Sequence, residues 1–327
     1  MLLIIVLMWV ISAALIAVYL LLQRYRYLKL SQLMEESRRR EEMAGRREQI
    51  YGRILPDKLI QLFQKGEPEK LRIGEEKSIR AAVLSYNIPG FSRIVRKRSA
   101  KEIFSFVNRS LSLVVPCILY QEGEINKYAD AGLSAFFLKN PERALRAAVS
   151  ICEALDQADF RELYSIGLTY GDVMVGIVGH EKRFGILTIS ETTGLAEYLQ
   201  ELAVRCRARI LVTGSFIQQI PDFDKNYNSR YLGDIYLKTA GLNEQLYDVY
   251  DGDEPVDKNQ KRKTRMLFEK GVNLFQNKNF QDARLHFIEV LKANRMDGAA
   301  KEYLYICNRC IAKKDSPENI PSYLYVY

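Results

Sequence analysis

Residues 1–22 carry no charged side chain, and the hydrophobic run is unbroken enough to predict a helix over its whole length. At 1.5 Å per residue such a helix reaches roughly 30 Å, about one hydrocarbon core. A cleaved signal peptide would want a basic start, a shorter apolar core and small residues before a cleavage site, and the segment fits none of these well. Arg24, Arg26, Lys29, Arg38, Arg39 and Arg40 follow it, so the positive-inside bias predicts a single-pass membrane anchor with the bulk of the chain in the cytoplasm.

The pattern then changes. Over 28–54, Leu28, Leu30, Leu33, Met34, Met43, Ile50 and Ile54 are interrupted by Glu and Arg, which predicts a charged helix with an imperfect heptad. A short parallel coiled coil and a solvated juxtamembrane helix both fit. Leu55-Pro56 breaks it, and Lys58–Phe63 reads as a short amphipathic turn ending at Gly66. From 76 to 252 short apolar runs alternate with amphipathic ones. Strands are expected at Ile79–Ser85, at Glu124–Tyr128 with Gly132–Leu138 as a hairpin, and at Tyr164–Tyr170 with Asp172–Ile177 as a pair about Gly171. A further strand is expected at Ile210–Val212. Helices are expected at Ala100–Tyr120, Pro141–Leu155 and 195–206. The order βαββαβ predicts an α+β, ferredoxin-like sheet with helices on one face.

After the core, 253–263 reads as a polar, basic linker, and 264–311 as two or three helices. Leu267, Gly271, Leu274, Ala283 and Phe287 have the spacing of a tetratricopeptide repeat, with Arg295 where that repeat ends in Pro. One repeat cannot bury its own face, so it must pack on the core or hold a protein partner. In the tail, 312–327, the apolar, tyrosine-rich Ile320–Tyr327 either docks as a strand or remains disordered. The expected domains are therefore 1–22 anchor, 23–75 stalk, 76–252 core, 253–263 linker, 264–311 helical repeat and 312–327 tail.

Composition adds little beyond this. The net charge of +8 is concentrated after the anchor and near Lys258–Arg265, which favours a membrane surface; without an aromatic-interleaved motif, no nucleic-acid partner is expected. The five cysteines, Cys117, Cys152, Cys206, Cys307 and Cys310, are odd in number and lie in apolar or helical contexts, as in a reducing compartment. The lone Cys307-x-x-Cys310 is read as packing, and His180 and His286 have no ligand partner in sequence.

The stretch Ala81–Phe91 runs as a buried strand into a turn at Pro89-Gly90. It resembles the first strand of class III nucleotidyl cyclase domains through Ile88, Gly90 and Phe91. The resemblance continues through Gly167, Gly171, Gly176 and Gly179, and through Leu232-Gly-Asp-Ile-Tyr-Leu-Lys238, and covers about half the chain. Leu55-Pro56 is similar to the step that separates stalk from catalytic domain in that family.

The resemblance implies a site formed between two protomers, hence a homodimer or a heterodimer with another cyclase-type chain. It also implies two Asp holding Mg2+ or Mn2+, because developing phosphate charge needs hard, fully charged oxygen ligands. Asn87 stands at the first Asp and Ala131 at the second, with Asp130 one residue away as a possible substitute. Gly194 and Tyr198 stand where the family carries its transition-state Asn and Arg. Lys127 stands at the base-reading Lys, whose usual Asp partner is Gly185, and Gly90 and Phe91 belong to the phosphate turn, from which Pro89 removes one N–H. These residues lead to the expectation of a membrane-anchored pseudocyclase, a dimerising regulatory or scaffolding module that needs no cofactor. The alternative is an active adenylate or guanylate cyclase with Mg2+ or Mn2+ held by unusual ligands such as Asp130, Asp172 or Glu191.

Overall fold

The computed structural model describes residues 72–129, 131–160, 163–180, 183–312 and 325–327, together with 19, 20, 23–27, 29, 34, 35, 38, 62 and 63. The chain divides into two compact units, 1–57 and 58–327. In the first, the described residues are helical and exposed. The expected anchor and stalk lie mostly outside the described residues.

The second unit is built on one sheet. β1 (Glu76–Asn87) is buried continuously from Ala81 to Tyr86, because both of its faces are covered. Ala82, Leu84 and Tyr86 enter one apolar cluster, while Ala81 and Val83 enter another on the opposite face, as the two-residue period requires. β3 (Gly132–Phe137) and β4 (Ser165–His180) flank β1, both antiparallel, and β2 (Glu124–Ala129) pairs with β3. The order β2-β3-β1-β4 is the expected ferredoxin-like arrangement. The sheet continues through β6 (Ile210–Thr213), β8 (Leu242–Val249), β7 (Ser229–Leu237) and β9 (Tyr325–Val326).

Two expectations about this sheet need correction. Ser165–His180 is a single strand rather than a pair about Gly171, and the strand that folds back on its second half is β5 (Arg183–Ile189). Helices cover both faces, not one. α1 (Ala100–Tyr120) begins at a capping box, in which the Ser99 Oγ accepts from the Glu102 N–H and the Glu102 carboxylate accepts from the Ser99 N–H. With α2 (Glu142–Gln157) it covers the first face, where Ser110 hydrogen-bonds the Tyr86 hydroxyl at 2.8 Å. α3 (Glu191–Cys206) covers the second. It lies so close to β4 that a Cβ at Gly167 would collide with the Ala196 carbonyl and come within 2.7 Å of the Gln200 N. Among the described residues α1 is the one helix long and apolar enough to cross a membrane, and its buried Ser110, Val114 and Ile118 mark the one face that packs on the sheet.

The C-terminal helices α4 (Pro255–Gln276), α5 (Phe280–Ala293) and α6 (Gly298–Ile311) complete this core. Phe268, Val272, Phe275, Phe287 and Tyr303 pack with Leu199, Leu202, Leu232 and Ile235 in one cluster. The apolar face marked by the repeat spacing is spent on the sheet and α3. Residues 255–263, expected as a solvated linker, form the first turns of α4, and Lys261 is buried. Cys307 and Cys310 are buried in the same region, consistent with packing.

A buried charge network joins sheet to helices. Arg230 on β7 donates to Asp248 on β8 (3.0 Å) and to Asp297 at the start of α6 (2.5 Å), while Lys261 on α4 pairs with Asp248 (2.8 Å) and Asp253 (2.6 Å). Burial alone would discharge these groups, so each depends on its partners.

Candidate functional site

Asn87 ends β1 beside the β2–β3 turn, since the preceding Tyr86 pairs with Leu133 and Ala129 pairs with Gly132 across that turn. Its Oδ1 accepts the N–H of its own neighbour Ile88 at 2.8 Å. The amide oxygen, the side chain's one metal-ligand atom, thereby caps the turn. The flanking Tyr86 and Ile88 both enter the first core cluster, so Asn87 faces the other side.

Ala131 belongs to that first cluster and is fully buried. Its methyl group therefore points to the face opposite the Asn87 amide, and a carboxylate there would enter an apolar core. Asp130 lies outside the described residues.

The turn expected to bind phosphate is short of two donors. Ile88 N–H is engaged by Asn87, Pro89 has none, and Gly90 adopts φ +73°, a left-handed conformation that suits glycine. Phe91 stacks on Phe106 with ring centroids 6.5 Å apart, and Phe106 stacks on Phe160, so the aromatic anchors the turn to α1.

On the second face the structure brings Lys127, Gly194 and Tyr198 to the same helix. Lys127 Nζ pairs with Glu197 Oε1 on α3 at 2.8 Å. Both side chains are about half exposed, at 51% and 44%, so the pair neutralises the lysine without stabilising the fold much. Glu197 went unrecognised in the sequence because it follows no motif; only the packing of α3 against the sheet brings it to Lys127. Gly194 and Tyr198 lie one turn apart on α3, and both meet Tyr327. A Cβ at 194 would collide with the Tyr327 hydroxyl, and the Tyr198 and Tyr327 rings stand 5.4 Å apart. Burial raises the pKa of both tyrosines.

The proposed substitute ligands Asp172 and Glu191 stand elsewhere. Asp172 is opposite Arg80 in the β1–β4 register, whereas Asn87 is opposite Ser165. The separation along the strands is seven residues, about 24 Å at ~3.4 Å per residue, too far for a shared cation. Asp172 pairs with Arg80 at 3.6 Å, and Glu191 accepts from the Thr239 hydroxyl. Within one chain Asp172 cannot replace Asn87, and Glu191, next to the Thr192 that lies over Gly171, stands toward the Asp172 end of the sheet. Among the described residues no group of three His, Cys, Asp or Glu side chains could hold a metal ion.

No family model matches the chain. It is 21% identical over 251 residues to the terminal-differentiation-specific adenylate cyclase of Dictyostelium discoideum, covering 73% of this chain and 12% of that protein. It is 29% identical over 194 residues to an uncharacterized protein of Mycobacterium tuberculosis, covering 58% of this chain and 33% of that one. The chain thus spans a third or less of the length of these relatives. Among solved structures, a bacterial light-regulated adenylyl cyclase superposes with a TM-score of 0.57 at 20% identity, covering 67% of this chain and 65% of that chain. The sheet and its helices have the fold of an adenylyl cyclase.

Proposed function

We propose that this chain is a membrane-anchored cyclase-homology protein that makes no cyclic nucleotide itself and works as a dimerising regulatory or scaffolding module. The observation that carries the reading is at the expected metal positions. Asn87 is neutral and its one side-chain oxygen already accepts the Ile88 N–H, and Ala131 is an apolar residue buried toward the other face. Phosphoryl chemistry of this type needs two cations held by charged oxygen ligands and a positive charge on the transition state. Gly194 and Tyr198 supply no such charge, and Lys127 is already paired. Each missing charged contact costs about 3–4 kcal/mol of barrier, roughly 10²–10³ in rate. Two or three missing together leave almost no turnover.

Dimerisation is supported by the β4–β5 hairpin, which leaves Met174, Val178, Leu187 and Ile189 exposed on one face. A cluster of apolar side chains on one hairpin is the expected surface for a second cyclase-type chain. Anchoring rests on the uncharged run Met1–Leu22 and the basic residues after it, which put the sheet domain on the cytoplasmic side.

The test uses the 327-residue chain in detergent with ATP or GTP and excess Mn2+, which tolerates poorer ligand sets than Mg2+. No cyclic nucleotide above a heat-killed control is expected. Product would refute the proposal and identify an active cyclase with non-standard ligands. Nucleotide binding measured alongside separates a nucleotide-sensing module from a pure scaffold.

A further inference from the structure

The last three residues of the sequence are held like a ligand. Tyr325 and Val326 pair with Ile235 and Tyr236 as a parallel strand along the edge of β7. The Tyr327 N–H donates to the Tyr236 carbonyl at 2.9 Å, and the Lys238 N–H donates to the Tyr327 carbonyl at 3.0 Å. Side chains then alternate. Tyr325 is 1% exposed, inside the cluster formed by α3, β7 and α6, with its hydroxyl 3.4 Å from the Cys206 Sγ. Val326 points outward. Tyr327 turns back onto α3, its ring against Tyr198 and its hydroxyl in the space left by the missing side chain of Gly194.

Backbone pairing to a sheet edge, with pockets for alternate side chains, is the mode by which sheet domains read extended peptides. Main-chain bonds give affinity there, and the pockets give specificity. Here one pocket is deep and has a sulfur partner for a phenol, and the other is shaped by a glycine.

We propose that the β7 edge and the Gly194–Tyr198–Cys206 side of α3 form a strand-acceptor groove for an extended Tyr-x-Tyr segment, filled here by the chain's own Tyr325–Tyr327. The surroundings of Tyr327 favour peptide over nucleotide, since Glu191 beside it would repel phosphate and the nearby Glu197 is already matched by Lys127, leaving no net positive charge there. While the segment is in place, it closes the side of α3 that carries positions 194 and 198. Occupancy of this groove is independent of whether the chain makes cyclic nucleotide, so this test and the turnover assay fail separately.

The experiment compares the 327-residue chain with a chain ending at residue 324 and with the 327-residue Tyr325→Ala variant, all in detergent. The probe is a fluorescently labelled peptide of residues 318–327, followed by anisotropy. A tethered segment competes at an effective concentration on the order of millimolar, so the peptide should bind the shortened chain and the variant about tenfold or more tighter than the intact chain. The same peptide carrying Tyr325→Ala should not bind. Hydrogen exchange supplies an independent reading on the intact chain: the Lys238 amide should be protected, exposed on truncation and protected again by the peptide. Failure of the peptide to bind the folded shortened chain or the variant, equal binding to the intact chain, or an unprotected Lys238 amide in the intact chain would overturn the proposal.

Discussion

Arg230 and Asp297, 67 residues apart in sequence, meet as a fully buried ion pair with Nη1 2.5 Å from Oδ2. The guanidinium also lies over the Phe268 ring, 4.5 Å from its centroid, and Asp297 accepts the Ala300 N–H at the start of α6. One pair thus joins β7, α4 and α6. Asp297→Ala leaves a buried guanidinium short of a partner and removes a helix cap, a change that costs about 3–5 kcal/mol. Asp297→Asn keeps the cap and should cost less. Guanidinium denaturation of the full chain, followed by tryptophan-independent circular dichroism, should show one transition for the 58–327 unit in each variant. Separate unfolding of sheet and C-terminal helices would refute the coupling.

The same carboxylate sets a pH dependence. Burial opposes its ionisation, but the charge and hydrogen bonds of Arg230 outweigh burial and hold the Asp297 pKa below the usual value. A depressed carboxylate contributes stability above its unfolded pKa of about 3.9, and that contribution is lost as pH falls through the lower folded value. The stability difference between wild type and Asp297→Asn should therefore be full at neutral pH and shrink in acid. A difference that stays constant down to the acid transition would show that the charge is not what matters.

Restoring the two expected carboxylates should not restore chemistry. Asn87→Asp keeps the acceptor for Ile88 N–H and should change stability by only about 1 kcal/mol. Ala131→Asp places a carboxyl in an apolar cluster with no partner, at about 3 kcal/mol or more. The double variant should melt well below wild type and yield no cyclic nucleotide with Mn2+. Turnover in the double variant would mean that the hairpin presents position 131 to the Asn87 face.

Gly167 tests how tightly α3 is seated. An added methyl would meet the Ala196 carbonyl, the Gln200 N and the Leu199 side chain, two of them backbone atoms that yield only if the helix moves. Gly167→Ala should destabilise the unit by about 1–3 kcal/mol, the usual range for overpacking. A melting temperature unchanged from wild type would place α3 farther from β4 than described.

Thiol chemistry offers an inexpensive check on the core. Burial pushes Cys152, Cys206 and Cys307 each up to about 12, whereas Cys117 is partly exposed. In the native chain Cys117 should react first with a thiol reagent, and the buried thiols should respond only on unfolding. Rapid native labelling of Cys206 would mean that the cluster around Tyr325 opens readily.

The sequence by itself determined the ferredoxin-like half of the fold. The short apolar run at Ala81–Leu84 and the helical period in Ala100–Tyr120 are local signals, and local geometry decides which side chains share a face. It also determined that positions 87, 131, 194 and 198 carry neutral residues, because residue identity needs no coordinates. The long β4 was hidden because Gly171, which reads as a turn, instead lies mid-strand beneath the Thr192 side chain of α3. The basic run near 258–263 reads as solvated because nothing local reveals that Asp248 and Asp253 wait for Lys261. Tertiary structure alone decided that Glu197 neutralises Lys127, that Ala131 faces away from Asn87, that Asp172 lies far along the strand, and that Tyr327 fills the gap at Gly194. Each of these depends on elements distant in sequence coming together, and charge pairing, strand facing and shape filling at such contacts are properties of the packed chain.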